Sequence, residues 1–445
     1  MVVSRSGLSS RAGWVLPPLL LIGGLIASPG APAQGSSSDA PGSASSYARG
    51  HVLVRYRGTA RERKVRLAAG VSVSDALAKL RANPRVAHAN PDYLVRAAGG
   101  CWPNDPGRTG CWRDDQWNFL PFTPGGPGGV DAPGAWQNLK QFGAPGGRGA
   151  TVAVLDTGIA YRKVGKRFRR DPDLPPTHRF VAPKNYVGHG RFPLDEDGHG
   201  THVASTIAQA TRNHRGLTGL AFGVKVMPVR VLNRREKGTG SDVARGIRYA
   251  VRHGADVINL SLEFGPRVKR CEQVPNVCTA VRMAGARGVV VVAAAGNHHR
   301  ARVAFPAAAP DTIAVGATTW RGCLARYSDF GLGLDLVAPG GGGDRPNAGP
   351  QCHPSEKGYS IRQFSLKPRA AARGDFRRFG IVGMHGTSMA AAHVSAAAAL
   401  LLAEGVTPGA VATRLECTAT PLGSSLRYGA GLLNAAQATS AASCL

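Results

Sequence analysis

Four short segments each set one chemically distinct group at the edge of an apolar run. Asp156 stands in Val154-Leu155-Asp156-Thr157-Gly158, and His199 in Asp197-Gly198-His199-Gly200-Thr201-His202. Asn297 stands in Ala294-Ala295-Gly296-Asn297, and Ser388 in Gly386-Thr387-Ser388-Met389-Ala390. A carboxylate, an imidazole, a carboxamide and a hydroxyl are the parts that serine-based acyl transfer requires. The hydroxyl attacks, the imidazole takes its proton, the carboxylate orients the imidazole and the carboxamide meets the oxyanion. An imidazole titrates near neutrality, which suits a general base. Ser388 opens a long Ala-rich stretch that reads as a helix, whose free N–H groups and positive dipole end favour developing negative charge. Gly198 and Gly200 permit a tight turn around His199.

These residue types also have other common roles. Ser388 could be an N-cap and Asn297 a turn residue. His202 competes with His199 as base, and reads as a packed helix residue. The two histidines lack the intervening glutamate of an H-E-x-x-H zinc helix. Asp-Thr-Gly also marks aspartic proteases, but that mechanism needs a second such carboxylate, and no second Asp-Thr-Gly or Asp-Ser-Gly is present.

The chain order Asp…His…Asn…Ser resembles that of the subtilisin-like serine proteases, the subtilase family, over about Trp117 to Gly431. The family usually has Pro where Ala392 stands, a change compatible with the same helix. The resemblance implies Asp156, His199 and Ser388 as catalytic residues and Asn297 as oxyanion donor. It implies that Ser261-Leu262-Glu263 pairs with an extended substrate as an added strand. It also implies that Ala295, Gly296 and Ala304 line the first specificity pocket. Glu263 replaces a frequent glycine and raises the expectation of a bias toward basic substrate residues. Asp173 and Asn213 match oxygen ligands of a structural calcium site, hard-cation chemistry that needs several oxygen donors. No cofactor is expected for catalysis. Protein or peptide substrates are the expected partners, and a monomer is expected.

The elements that must carry these groups follow from pattern. Apolar runs Val152–Leu155, Lys225–Leu232, Val257–Leu262, Val289–Ala293 and Thr312–Gly316 alternate with helical stretches His202–Gln209, Asp242–His253, Thr279–Arg287 and Ser388–Ala403. That alternation predicts an α/β, subtilisin-like domain with a mostly parallel sheet and helices on both faces. Sites in such sheets lie at the carboxyl ends of strands, where Asp156 and Asn297 fall. The segment from Gly340 to Met384 is rich in Gly and Arg and reads as a surface loop. The segment from Tyr428 to Ala435 resembles the closing helix of the family's domain.

Upstream, residues 1–33 read as an export signal, with Arg5 and Arg11 before an apolar Val15–Ile26 and an Ala31-Pro32-Ala33 cleavage site. Residues 34–50 read as a flexible linker. Residues 51–97 carry a strand, a helix and a strand, and resemble the inhibitory propeptide of subtilases. That makes the chain's own propeptide an expected partner, in a small α+β domain that is cleaved near residues 97–100. Residues 98–149 read as the lead-in to the mature protease and 150–445 as its catalytic domain.

The length of 445 residues and 43% hydrophobic content suffice for one large core and a small second domain. A formal charge of +28 calls for considering polyanions. The basic residues are scattered without a nucleic-acid-binding motif, so no specific nucleic acid is expected. Beyond the signal, no membrane span is expected. Eight cysteines in an exported chain suggest disulfides. Sequence leaves their connectivity open; neighbour pairing would join Cys101–Cys111, Cys271–Cys278, Cys323–Cys352 and Cys417–Cys444. The expected location is outside the cytoplasm, extracellular or periplasmic.

Overall fold

A computed structural model describes residues 47–59, 61–68, 70–93, 101–188, 190–346 and 349–440. The signal, residues 34–46 of the linker, the processing region and Cys444 lie outside the described residues. The chain divides into two compact units, residues 1–97 and 98–445.

The first unit holds β1 (Tyr47–Tyr56), β2 (Arg63–Arg66), α1 (Val73–Arg81) and β3 (Val86–Tyr93). The strands form an antiparallel sheet in the order β2-β1-β3. Val52 and Val54 alternate on the face of β1 that meets Val73, Ala76 and Leu77 of α1 and Val86 and Ala89 of β3. Ser72 caps α1 by accepting the Asp75 N–H at 3.1 Å. β2 has no sequence signature, because it is an edge strand of basic residues around a half-buried Val65.

The second unit contains α2 (Ala132–Gln141), β4 (Thr151–Asp156), β5 (Lys184–Asn185), α3 (His199–Ala208), β6 (Lys225–Arg230), α4 (Gly240–Arg252) and β7 (Val257–Leu260). It continues through α5 (Pro275–Ala286), β8 (Val290–Ala294), β9 (Thr312–Thr318), β10 (Leu336–Pro339), β11 (Ile361–Leu366), α6 (Pro368–Ala372), β12 (Phe379–Met384), α7 (Thr387–Glu404) and α8 (Pro408–Cys417). Seven strands form one sheet in the order β10-β9-β8-β7-β4-β6-β5, and every pairing in it is parallel. The chain leaves β4 toward β6 on one side and returns to place β7 on the other. That reversal opens a crevice at the carboxyl end of β4.

Both faces of the sheet are covered, which is why its strands are continuous apolar runs. Along β4, Val152 and Val154 enter a core shared with α2, α3, α7 and α8. Ala153 and Leu155 enter the opposite core with α4 and α5. α7 is buried from Thr387 to Leu401, so it is apolar on all sides, with eight Ala among its 18 residues to sit close against the sheet. No span is expected beyond the signal, yet by length and composition α7 could cross a bilayer; 83% of its apolar window is buried inside the unit. Cys101–Cys111, Cys271–Cys278 and Cys323–Cys352 are disulfides, as neighbour pairing anticipates.

Two expectations are corrected. Much of the 340–384 segment is a β11–β12 antiparallel hairpin rather than a loop. The apolar alternation that would have marked it is missing because Gln363 and Ser365 take buried positions on β11. Residues 429–434 do not form a helix. Leu432 bridges to Val337 and Thr420 as extended chain, and short helices flank the stretch at Ser425–Tyr428 and Ala435–Ala438.

Candidate active site

Asp156 is the last residue of β4 and is fully buried. Its Oδ1 accepts the Thr157 N–H at 2.7 Å and lies 2.8 Å from Nδ1 of His199. His199 is the first residue of α3. The two motifs are held together by a group the sequence reading missed, Asp195. Its Oδ1 accepts from the Thr157 hydroxyl at 3.0 Å and from the Asp197 and Gly198 N–H groups at 2.9 Å. Its Oδ2 accepts from the Thr201 N–H at 2.9 Å and the Thr201 hydroxyl at 2.5 Å. Thr157 Oγ1 in turn accepts the Gly200 N–H at 3.0 Å. The turn after β4 and the first turn of α3 therefore share one polar clamp. Gly200 lets them approach: a Cβ there would stand 2.2 Å from the Gly158 carbonyl oxygen.

Burial pushes the His199 imidazole down in pKa. The Asp156 carboxylate, through charge and hydrogen bond, with Glu236 and Asp197 beyond it, more than offsets this and lifts it to about 9. His202, one turn later, is fully buried with Nε2 3.2 Å from the Ile361 carbonyl oxygen, and burial lowers it to about 3. It is a packed residue, as expected.

Ser388 is the second residue of α7 and is 9% exposed. Its hydroxyl donates to the Ser261 carbonyl at 3.3 Å, while the Ser261 hydroxyl donates to the Ser388 carbonyl at 2.8 Å. In the first turn of a helix the backbone N–H has no intrahelical acceptor, so that of Ser388 is free to meet an anion. Asn297 follows β8. Its Oδ1 accepts from the Thr387 N–H at 2.9 Å and the Thr387 hydroxyl at 3.1 Å. Fixing the oxygen this way turns the Nδ2 hydrogens toward another acceptor. His199, Ser261, Leu262, Glu263, Asn297 and Ser388 line one cavity of about 440 Å³. A larger cavity, about 730 Å³, is lined by Arg169, Arg170, Lys367, Arg369 and other basic residues. It contains no nucleophile paired with a base, so the smaller one is the candidate site.

A profile of the subtilase family matches residues 147–431. A thermophilic serine proteinase of Bacillus sp. (strain AK1) is 33% identical over 354 residues, covering 79% of this chain and 72% of that protein. Subtilisin Savinase of Lederbergia lenta is 35% identical over 295 residues, 66% of this chain and 91% of that one. The chain belongs to the subtilase family. It is a subtilisin-like serine endopeptidase. A solved structure of a protease from Pseudoalteromonas arctica PAMC 21717 aligns with TM-score 0.60 at 27% identity, covering 76% of this chain and 98% of that one.

In this subtilase, Ser261, Leu262 and Glu263, which follow β7, line the cavity, as do Ala294 and Asn297 on either side of Ala295 and Gly296; Ala295, Gly296 and Ala304 are not among its lining residues. Behind Gly296 stands a second group that the sequence reading missed. A Cβ on Gly296 would lie 2.3 Å from Oδ2 of Asp329, 2.9 Å from Oε2 of Glu263 and 3.0 Å from Cβ of Ala304. Glu263, His298 and Asp329 together are close enough to hold a metal ion. Burial raises the pKa of both carboxyls.

The expected calcium ligands do meet, but as donor and acceptor. Asn213 Nδ2 donates to Asp173 Oδ1 at 2.7 Å. Asp173 Oδ2 accepts from Gln209 Nε2 at 2.7 Å and the Leu217 N–H at 3.0 Å. Burial raises Asp173 to about 8. N–H groups thus meet both of its oxygens.

Proposed function

We propose that the chain is an exported serine endopeptidase that hydrolyses peptide bonds through an acyl-enzyme and removes its own propeptide. The observation that carries the reading is the 2.8 Å His199–Asp156 hydrogen bond opening onto the cavity that Ser388 and Asn297 also line. Ser388 Oγ leaves the Ser261 carbonyl, gives its proton to Nε2 of His199 and attacks the scissile carbonyl. Asp156 holds Nδ1–H of His199 and stabilises the imidazolium. The Ser388 N–H and Asn297 Nδ2 receive the oxyanion. His199 then protonates the leaving amine, and water activated by the same base releases the acid. Ser261, Leu262 and Glu263 would bind the substrate backbone, and Ala295, Gly296 and Ala304 would shape the pocket for its first side chain. No step needs a metal.

The remaining assignments belong to the same proposal. Residues 1–33 are the export signal, 34–50 a linker and 51–97 the propeptide that inhibits the enzyme before cleavage. Residues 98–149 lead into the mature protease, and 150–445 are its catalytic domain. The boundary between the two compact units after Ala97 supports this division. Three disulfides support a destination outside the cytoplasm.

The test is expression of wild type and Ser388→Ala, with casein hydrolysis and N-terminal sequencing of each product. The wild type should digest casein and begin near residue 100. Ser388→Ala should do neither, and full casein hydrolysis by the mutant would refute the reading.

A further inference from the structure

Asp329 is fully buried, although its sequence neighbourhood suggests no role. Its Oδ1 accepts the Arg300 N–H at 2.7 Å and the His298 N–H at 3.1 Å, and its own N–H donates to the Gly296 carbonyl at 2.9 Å. These bonds fix the carboxylate rigidly. Its Oδ2 has no hydrogen-bond partner among the described residues. That orphan oxygen lies against Gly296, on the side where Glu263 Oε2 and the Ala304 methyl also converge. Glu263 itself borders the cavity that contains Ser388 and Asn297. The second carboxylate has a replaceable partner: His298 Nδ1 lies 3.1 Å from Glu263 Oε2, and the His298 side chain is 42% exposed.

We infer that Glu263 and Asp329 form the acidic floor of the first specificity pocket, which selects a cationic side chain, arginine above lysine, on the acyl side of the scissile bond. The inference rests on the peptidase reading given above and adds its substrate class. A residue whose carbonyl sits between Ser388 and Asn297 directs its side chain between the 261–263 and 294–296 segments. There an apolar side chain would leave the free Oδ2 of Asp329 buried without a partner, which is unfavourable. A cation displaces the imidazole from Glu263 and satisfies the free oxygen of Asp329. The planar guanidinium presents several donors to both carboxylates at once, whereas an ammonium acts as a single compact charge. Glycine at 296 keeps the floor reachable, because any side chain there would occupy the place of the cation. The protein has 55 Lys and Arg against 27 Asp and Glu, so two converging carboxylates beside the nucleophile go against the general charge of the chain.

The test uses the mature secreted enzyme and blocked peptide p-nitroanilides that differ only in the residue before the scissile bond: Arg, Lys, norleucine or Phe. Expected kcat/KM falls in the order Arg, Lys, norleucine, with Arg over norleucine by at least about 10²-fold, since a site built around polar groups rejects analogues that leave them unpaired. Asp329→Asn keeps the Oδ1 bonds and removes the charge, and should reduce the Arg-to-norleucine ratio by about tenfold or more. Glu263→Gln should reduce it also. The ratio is insensitive to the fraction of protein folded. Equal or faster cleavage after norleucine or Phe would overturn the inference while leaving the peptidase reading intact. Failure to cleave any member would overturn both. A ratio that collapses in EDTA would make the cluster a metal site and overturn the inference; a ratio unchanged in EDTA supports it.

Discussion

Replacing Gly200 by alanine tests how the base is positioned. The added Cβ would stand 2.2 Å from the Gly158 carbonyl oxygen, 3.0 Å from Asp156 Oδ1 and 3.1 Å from Asp156 Cβ. An ordinary carbon–oxygen contact is about 3.3 Å, so the start of α3 must retreat by roughly 1 Å from the end of β4. The obstructing atoms are backbone and a buried carboxylate, and neither can turn aside. The displacement falls on His199, the adjacent residue, and strains the Asp195 clamp. Overpacking of this kind costs about 1–3 kcal/mol of stability. A catalytic group misplaced by about 1 Å costs on the order of 10²-fold in rate. The residues proposed to bind substrate lie in the segments that follow β7 and β8, so kcat should fall far more than KM rises. The assay is steady-state kinetics on a peptide p-nitroanilide, with thermal melting to establish that the protein is folded. Gly409→Ala is the control, because a Cβ there meets nothing within 4 Å. A folded Gly200→Ala enzyme with the parent kcat would refute the argument that this contact sets the position of the base.

Other outcomes follow from the same geometry. Asn297→Ala should lower kcat by about 10²–10³-fold with little change in KM, the range for loss of one oxyanion donor, for which a subtilisin is the worked case; parent kcat would remove Asn297 from the mechanism. Glu236 helps raise the pKa of His199, so Glu236→Gln should free the base at lower pH and move the acid limb of kcat/KM down by some tenths of a pH unit. An unmoved or raised limb would contradict that. Burial lowers His393 to about 4, and its Nε2 accepts from Asn118 while Nδ1 donates to the Met389 carbonyl. Between pH 6.5 and 4 the unfolded chain takes up a proton that folded His393 refuses, so this residue's contribution declines as pH falls. Relative to His393→Gln, the parent should lose up to about 3 kcal/mol across that interval in urea titrations; a pH-independent difference would refute it.

What sequence disclosed, and what it did not, divides along the range of the interactions. Asp156, His199, Asn297 and Ser388 were legible because each sits in a local pattern, an apolar strand or helix bounded by glycine, and these patterns are written in consecutive residues. β4 and β8 were found for the same reason. Asp195 was not singled out, although it lies four residues from His199, because its role is to tie a turn to a helix start across space. That clamp also moves the start of α3 back to His199, where glycines on either side argue against helix. Asp329 reaches His298 across 31 positions, and no pattern near either residue announces the contact. Asp173 and Asn213 were expected together and do meet, yet the roles of their atoms, amide donor to carboxylate, are set by side-chain rotation that residue types alone do not specify.

The most direct measurement of the central claim is site mapping of a fluorophosphonate. The processed enzyme is labelled, digested and examined by mass spectrometry, beside His199→Ala and Asp156→Ala. One adduct is expected, on Ser388, with labelling slowed severely in both variants while the proteins remain folded. An adduct on another serine, or undiminished labelling of Ser388 without His199, would contradict it.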